Sequence, residues 1–346
     1  MESNRDITAI QACVTNPLHI PVGDRWIAGV IGDAPSRYSK SPALWNAAFR
    51  ATNLNAVYLP FDVAENRLKD FISVVKNSER ALGINVTVPH KVKVIDYLDE
   101  LDPGAARIGA VNTIVRTRDG RLLGYNTDGE GFIESILKPQ PGRTTKFIES
   151  LDGVDVLLLG AGGSARAVAF HVSELMRSGR LIICNRTLEH AQALARELTG
   201  LGHNVEAVGE QELATWAPKV RLIINSTTKG QGGLTTDKAF SSMEPYSALA
   251  PAHPAESELN TSLSLNVASS IPKQVRFYDL IYFPEETVFL RHGRMTGHQT
   301  MNGKTMIINQ AVIAFCKRIC VNELQSRSLD AAETYRHVLE VMYKAW

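Results

Sequence analysis

The chain has 346 residues, 44% of them hydrophobic and 21% charged, and 37 basic against 36 acidic side chains leave a formal net charge of +1. That length allows two cores, and that charge balance excludes a global field selecting nucleic acid, an anionic membrane or an acidic polymer. No run reaches the roughly 18 apolar residues of a membrane span, and residues 1–26 lack the basic start and apolar stretch of a secretory signal. The expected setting is therefore cytoplasmic, and the composition is that of an ordinary globular protein.

The first part of the chain alternates short apolar runs with amphipathic stretches, the pattern of α/β units. Ile27–Ile31, Val57–Phe61, Ile84–Val86 and Val111–Val115 read as strands, and Ala43–Ala51, Glu65–Lys76 and Val92–Glu100 as helices. Residues 138–150, with Lys138-Pro139-Gln140-Pro141-Gly142, break the pattern and read as a connector. A second α/β series follows, with strands at Val154–Leu159, Leu181–Cys184, Arg221–Asn225 and Val275–Leu280. Its helices run from the glycine turn at 160–165 to about Met176 and over Glu189–Thr199. Residues 233–272 are rich in Ser, Ala and Pro with little periodicity, which predicts a mobile insertion with one short helix. Met306–Leu324 reads as one strongly apolar helix. Cys316 and Cys320 sit one turn apart within it without a third ligand, so packing is the reading for them. Together with Cys13 and Cys184 they form neither a disulfide framework nor a zinc pattern, and no metal is expected.

Two segments carry the chemistry. Asn85-Val86-Thr87-Val88-Pro89-His90-Lys91 and Asn126-Thr127-Asp128-Gly129 place one lysine and one aspartate inside dense polar clusters. In such a pair the aspartate orients the ammonium and keeps it protonated, and the ammonium delivers its proton to a carbonyl oxygen as hydride reaches the carbon. Asn85, Thr87, Lys91, Asn112, Asn126 and Asp128 fall at strand ends and following turns, where open parallel sheets bind ligands. Ser39-Lys40-Ser41-Pro42 opens a helix. Ser41 reads as its cap and Pro42 as its first residue, and two hydroxyls with free amides form a seat for a small carboxylate.

Gly160-Ala161-Gly162-Gly163-Ser164-Ala165 follows the apolar strand and opens a helix. Gly160 permits the tight turn, Gly162 lets the backbone approach a pyrophosphate, and Ala165 allows close helix–strand packing. The next strand ends in Cys184-Asn185-Arg186-Thr187. An NAD site usually places an acid there, whereas Arg186 can clamp a 2′-phosphate with its fork, which favours NADP.

Together these stretches resemble the shikimate dehydrogenases over nearly the whole chain, from Gly29 to about Phe315. Also matching are Gly109-Ala110-Val111-Asn112-Thr113, Gly124–Gly129, Asn225–Gly230 and Gln310-Ala311. The resemblance implies NADP-dependent, reversible reduction of 3-dehydroshikimate to shikimate, with Lys91 and Asp128 as the catalytic pair. It implies Ser39 and Ser41 for the substrate carboxylate, Thr87, Asn112 and Gln310 for ring hydroxyls, and Tyr282 near the substrate. Gly160 to Ala165, Asn185, Arg186, Thr187 and Thr227 would hold the cofactor. The implied fold is two α/β domains facing each other across a cleft. One is a discontinuous catalytic domain, 1–134 with 302–346, and the other a Rossmann-type nucleotide domain, 135–301. The expected assembly is a monomer or homodimer.

The chain departs from the family pattern at Tyr38, where histidine is common, and at His190, where a basic residue often follows Asn-Arg-Thr. It departs again at Asn302-Gly303-Lys304, where the family usually has an acidic residue before the glycine. The segment before the first strand and the 233–272 stretch have no family role. The neighbouring alternative is a quinate or quinate/shikimate dehydrogenase using NAD or NADP. In the family a threonine at the second serine position accompanies quinate use, so Ser41 points to shikimate. An alternative of another class is a ligand-sensing regulatory protein on the same scaffold, and the intact Lys91–Asp128 pair argues against it.

Overall fold

The structure is a computed structural model that describes residues 5–18, 22–232, 243–327 and 330–346. The chain divides into two compact units, Met1–Gly131 with Ile308–Trp346, and Phe132–Ile307.

The first unit is built on six strands: β1 (Trp26–Gly32), β2 (Ala56–Asp62), β3 (Ala81–Val86), β4 (Glu100–Leu101), β5 (Thr113–Arg116) and β6 (Leu122–Tyr125). Their order is β2-β1-β3-β5-β6-β4. Alternation along β1 sends Ile27 and Ile31 to one face and Ala28 and Val30 to the other, the period of two that a covered strand requires. On the first face they join Val57, Leu59, Phe61, Phe71, Ile84 and Ile114, together with Ile10 from the N-terminal helix Arg5–Gln11. On the second they join Leu44, Trp45 and Phe49 of helix Ser41–Ala51 and Ile308, Val312, Phe315, Val338 and Met342 from the end of the chain. Each such side chain, fully buried, contributes about 1.5–3 kcal/mol, so the C-terminal helices are part of this core.

The segment before β1, without a role in the sequence reading, closes the sheet's edge. Thr15 N–H donates to Asp62 O at 2.9 Å, Asn16 Nδ2 to Pro60 O at 3.0 Å, and Asn16 Oδ1 accepts from Asp62 N–H at 2.7 Å. The free edge of β2 is thereby paired, which removes a template for edge-to-edge association.

Four expectations for this unit are corrected. The sheet is mixed, since β5 runs antiparallel to both β3 and β6. The strand expected at Val111–Val115 begins at Thr113. Val92–Glu100 is a short 3₁₀ turn, Lys93–Tyr97, after which Glu100–Leu101 pairs with β6; β-branched Val92, Val94 and Ile95 are weak helix formers and the strand pairing wins. The helix expected over Met306–Leu324 runs only from Lys304 to Ala314, passes into a π turn at Phe315–Ile319 and restarts at Val321. Cys320 lies in the apolar cluster there, with Cys316 packed against it. Burial pushes the Cys316 thiol up to about 12 and raises that of Cys320 as well.

The second unit carries β7 (Val156–Leu159), β8 (Leu181–Cys184), β9 (Val205–Val208), β10 (Leu222–Asn225), β11 (Arg276–Asp279) and β12 (Thr300–Met301). All pairs are parallel, in the order β12-β11-β10-β7-β8-β9, the doubly wound arrangement. Helices Gly163–Met176 and Leu188–Gly200 follow β7 and β8. β7 starts at Val156, inside the expected 154–159.

Residues 243–272 are not the mobile insertion expected. Met243, Tyr246, Leu249 and Ala252 are buried, and Ser257–Ser270 is a helix of 14 residues. Asn260 ties the two, accepting from Ser247 N–H at 2.7 Å and donating to the carbonyls of Ser247, Ala250 and Pro251. One side chain thus satisfies a stretch of backbone that would otherwise be buried without partners. The remainder of the predicted insertion, 233–242, lies outside the described residues. Among the described residues no helix is long and apolar enough to cross a membrane, and no group of His, Cys, Asp or Glu could hold a metal ion.

Candidate active site

The antiparallel sense of β5 assembles the polar site of the first unit. Thr113 at the start of β5 pairs with Asn85 near the end of β3 and with Tyr125 at the end of β6. Three chain segments therefore meet at one end of the sheet: the turn after β3 with Lys91, the entry to β5 with Asn112, and the turn after β6 with Asn126, Thr127 and Asp128. His90, fully buried, anchors the first turn through Nε2 to Val63 O at 2.7 Å. Lys91 O accepts from Val111 N–H at 2.8 Å and Val86 N–H donates to Asn112 O at 2.8 Å. These bonds tie the first catalytic segment to the entry of β5, and Asn112 N–H donating to Tyr125 O at 3.0 Å joins that entry to the strand that leads into the second.

Lys91 Nζ donates to Asp128 Oδ2 at 2.5 Å, with the lysine side chain 17% exposed and the aspartate 7%. The other carboxylate oxygen accepts from Asn112 Nδ2 at 2.8 Å. Asp128 opens helix Asp128–Leu137, where a carboxylate is favoured by the helix dipole, and its own N–H donates to Asn126 Oδ1 at 3.1 Å. Asn112 is the hub. Its Oδ1 accepts from Thr127 N–H at 2.8 Å, and its Nδ2 also reaches Thr127 Oγ1 at 3.0 Å and Gln310 Oε1 at 3.3 Å. Gln310 arrives from the far end of the chain because Gly131 permits it: a Cβ there would lie 2.6 Å from Gln310 Cβ and N.

Tyr58, in the buried strand β2, connects to this hub through Asn85 and Thr113. Burial raises the Tyr58 phenol well above its usual value, against a lowering hydrogen bond from Ser41. Tyr58 OH donates to Asn85 Oδ1 at 2.7 Å, and Asn85 Nδ2 to Thr113 Oγ1 at 3.0 Å. Thr113 Oγ1 donates to Asn112 Oδ1 at 2.9 Å. A continuous chain of hydrogen bonds thus runs from Tyr58 to Asp128 and Lys91. Ser41 is itself the first helical residue and not the cap as expected; Lys40 holds the cap position, and Ser39 Oγ accepts from Ser41 N–H at 3.2 Å. Thr87 sits in the turn after β3, its N–H donating to Ile31 O at 2.8 Å. Tyr38, at the departure from the family pattern, is exposed, and its OH donates to Asp33 Oδ1 at 2.9 Å. Neither Tyr58 nor Thr127 stands out in the amino-acid sequence. Tyr58 looks like a core residue of an apolar strand, whereas Thr127 lies between the more conspicuous Asn126 and Asp128.

The second unit presents the glycine turn at the ends of β7 and β10. Gly160 takes φ +109, and a Cβ there would lie 2.6 Å from Ser226 Oγ. Gly162 is extended, the helix begins at Gly163, and a Cβ at either would meet nothing within 4 Å. Ala161 and Ser164 are half-buried beside this space, and Ala165 is fully buried against the sheet. Open space over backbone amides at the start of a 14-residue helix fits a pyrophosphate. Thr227 abuts the turn, its N–H and Oγ1 both donating to Asn225 Oδ1, at 2.9 and 2.7 Å.

Beyond β8, Asn185 Nδ2 donates to Thr187 O at 2.8 Å, Thr187 holds the cap position of helix Leu188–Gly200 without a side-chain cap bond, and Arg186 and His190 are exposed. Tyr282 follows β11 and is half-buried, with burial raising its phenol. Asp279 at the end of β11 ties these loops together. It accepts from Asn225 Nδ2 at 3.0 Å, from Ile281 N–H at 3.0 Å and from Thr287 Oγ1 at 2.6 Å. Burial pushes its carboxyl up to about 7 against the pull of those donors.

Comparison with known proteins places this geometry in a family. Residues 30–114 match the shikimate dehydrogenase substrate binding domain, and residues 143–248 match the shikimate / quinate 5-dehydrogenase model. The chain is 38% identical over 295 residues to the shikimate dehydrogenase (NADP(+)) of Carboxydothermus hydrogenoformans, covering 85% of this chain and 92% of that protein. It is similar to the crystal structure of shikimate 5-dehydrogenase from Thermus thermophilus in complex with NADP(H) and shikimate, with TM-score 0.66, 28% identity, and 93% and 100% of the two chains covered. Quinate dehydrogenase from Corynebacterium glutamicum in complex with NAD is similar with TM-score 0.66 at 26% identity, covering 91% and 99%. The chain belongs to the shikimate dehydrogenase family.

Proposed function

We propose that this chain is an NADP-dependent shikimate dehydrogenase that interconverts 3-dehydroshikimate and shikimate. The observation that carries the reading is the 2.5 Å Lys91–Asp128 pair, held by Asn112 among hydroxyl and amide groups suited to a polyhydroxylated ring. Lys91 delivers its proton to the carbonyl oxygen during reduction and takes it back during oxidation. Asp128 keeps the ammonium charged and aimed, and Asn112 fixes Asp128. Thr87, Asn112 and Gln310 bind ring hydroxyls, Ser39 and Ser41 hold the carboxylate at the helix start, and Tyr282 lies near the substrate. The first unit is the substrate-binding domain and the second the nucleotide domain.

The nicotinamide, when bound, supplies or accepts the hydride. Gly160 to Ala165 hold its pyrophosphate, Thr227 flanks the turn, and Asn185, Arg186 and Thr187 receive the 2′-phosphate end. Ser41, smaller than threonine, supports shikimate over quinate.

A spectrophotometric assay of shikimate or quinate with NADP or NAD tests the reading. Shikimate with NADP should give the highest kcat/KM of the four combinations. Absence of any absorbance change with any pair would overturn the enzymatic reading, and a preference for quinate would overturn the substrate assignment.

A further inference from the structure

A second buried ion pair lies in the nucleotide-binding unit, outside every motif role assigned above. Lys229 Nζ donates to Glu210 Oε1 at 2.6 Å and to Ala250 O at 2.8 Å, with the side chains 6% and 11% exposed. Its location follows from strand register. Cys184 and Val208 are paired at the ends of the parallel strands β8 and β9, and Asn185 N–H donating to Val208 O at 3.3 Å continues the ladder. Arg186 and Glu210 each come two residues after that pair, on strands about 4.8 Å apart. An acid therefore leaves the sheet beside the arginine that the cofactor reading gives to the 2′-phosphate. Lys229 reaches it from the turn after β10, which is fixed by Asn225 Nδ2 donating to Lys229 O at 3.2 Å and Lys229 N–H donating to Thr227 Oγ1 at 3.2 Å.

We propose that Lys229 is a positioning residue for cofactor choice: its ammonium cancels the Glu210 carboxylate, so that this buried charge does not oppose a 2′-phosphate approaching Arg186. Lys229, Arg186 and Glu210 together carry one net positive charge, whereas Arg186 and Glu210 without Lys229 carry none. The groups feel one another. Burial pushes the Lys229 ammonium down, Glu210 raises it, and Arg186 lowers it. Glu212, the other acid of this turn, is exposed, and its Oε1 accepts from Gly209 N–H at 3.1 Å. Both named partners of the Lys229 ammonium are protein groups in a dry setting, so it acts through Glu210 and not on the ligand. The inference rests on the NADP reading given above.

The test measures binding of NADP, NAD and adenosine 2′,5′-bisphosphate by titration calorimetry, with kcat/KM for both cofactors alongside. Lys229→Met should weaken NADP and the bisphosphate by about tenfold relative to NAD, the scale of one uncompensated charge near a protein surface. Glu210→Gln should leave the NADP preference equal or stronger, and Lys229→Met/Glu210→Gln should restore it to within about twofold of the parent. A merely structural pair would move both single variants the same way, and that outcome, or an unchanged ratio in Lys229→Met, overturns the proposal. Should Lys229→Met fail to fold, the same decision falls to Glu210→Gln and the double variant: a weakened NADP preference in either overturns it. A parent that binds NAD as tightly as NADP overturns the cofactor reading itself, while a parent that prefers NADP with no change in the variants overturns only the role of Lys229.

Discussion

Lys91–Asp128 and Lys229–Glu210 are ion pairs of 2.5 and 2.6 Å in different units of one chain, and their surroundings give them different capacities. Among the described residues, the Lys91 ammonium uses one of its donors on Asp128, and the side chain keeps 17% exposure. A group that must pass a proton to a ligand needs that opening. The Lys229 ammonium is capped by a carboxylate and a backbone carbonyl and keeps 6%. Both of those partners are protein groups, so it serves as fixed charge. Length alone would have ranked the two pairs as equals; burial and the second partner separate them.

The largest effect expected follows from the open pair. Lys91→Ala should lower kcat by at least ~10², toward ~10⁴, while the substrate dissociation constant stays within several-fold. Near-normal turnover in steady-state assays would reduce the first pair to a structural contact like the second.

Stability should show the reverse ranking. Lys229→Met leaves Glu210 buried without its cation, a loss of roughly 3–5 kcal/mol. Lys91→Ala leaves Asp128 with the Asn112 donor at 2.8 Å and a place at a helix start, so its loss should be smaller. Denaturant unfolding of the two variants measures this, and equal losses would erase the distinction between the pairs.

The two pairs also differed in how far the amino-acid sequence disclosed them. Lys91 and Asp128 sit in polar clusters that break an apolar pattern, and that contrast is visible along the chain. Lys229 sits in a turn, where a lysine ordinarily reads as solvated, and its partner belongs to another strand end. The strands were legible because burial imposes apolar runs on them. The sense of β5 was harder to read, yet a signal existed: Asp119-Gly120, with Gly120 at φ +85, marks a turn between β5 and β6 that could have announced an antiparallel pair. Within 233–272, where one short helix is expected, the place and length of helix Ser257–Ser270 are not legible, because its buried residues are Asn260, Ser264 and Ala268 and no apolar stripe marks it. Tyr58 was hidden by the opposite effect, a polar connector inside a buried strand.

A third buried carboxylate sharpens the comparison. Among the described residues no cation pairs with Asp279, and burial pushes its carboxyl up to about 7 from an ordinary 3.8. The folded value lies above the unfolded one, so folding retains a proton between them. The stability this gives is complete below about pH 4 and is lost as pH rises through 7. Between pH 5 and 8 the parent should lose roughly 2–3 kcal/mol from this group. Asp279→Asn removes the titration and keeps the shape: its oxygen can still accept from Asn225 and Ile281, and Thr287 Oγ1 can turn to accept from the new amide. Thermal unfolding of both proteins across that range should therefore give a steeper fall for the parent. Parallel curves would mean that Asp279 is ionised throughout and that three donors replace a cation.

The smallest effect separates binding from chemistry around the open pair. Gln310 Oε1 accepts from Asn112 Nδ2 at 3.3 Å and from Thr127 Oγ1 at 3.2 Å, both long, whereas Asn112 holds Asp128 at 2.8 Å. Gln310→Ala should therefore remove a ligand contact and leave the ion pair aimed, raising KM for shikimate up to about tenfold, the scale of one hydrogen bond, with kcat within a few-fold. Asn112→Ala releases Asp128 as well and should lower kcat together with raising KM. The split between the two variants is the decisive quantity. If Gln310→Ala lowers kcat as far as Asn112→Ala does, helix Lys304–Ala314 aims the Lys91–Asp128 pair instead of merely lining its site, and the proton-transfer group extends to that helix.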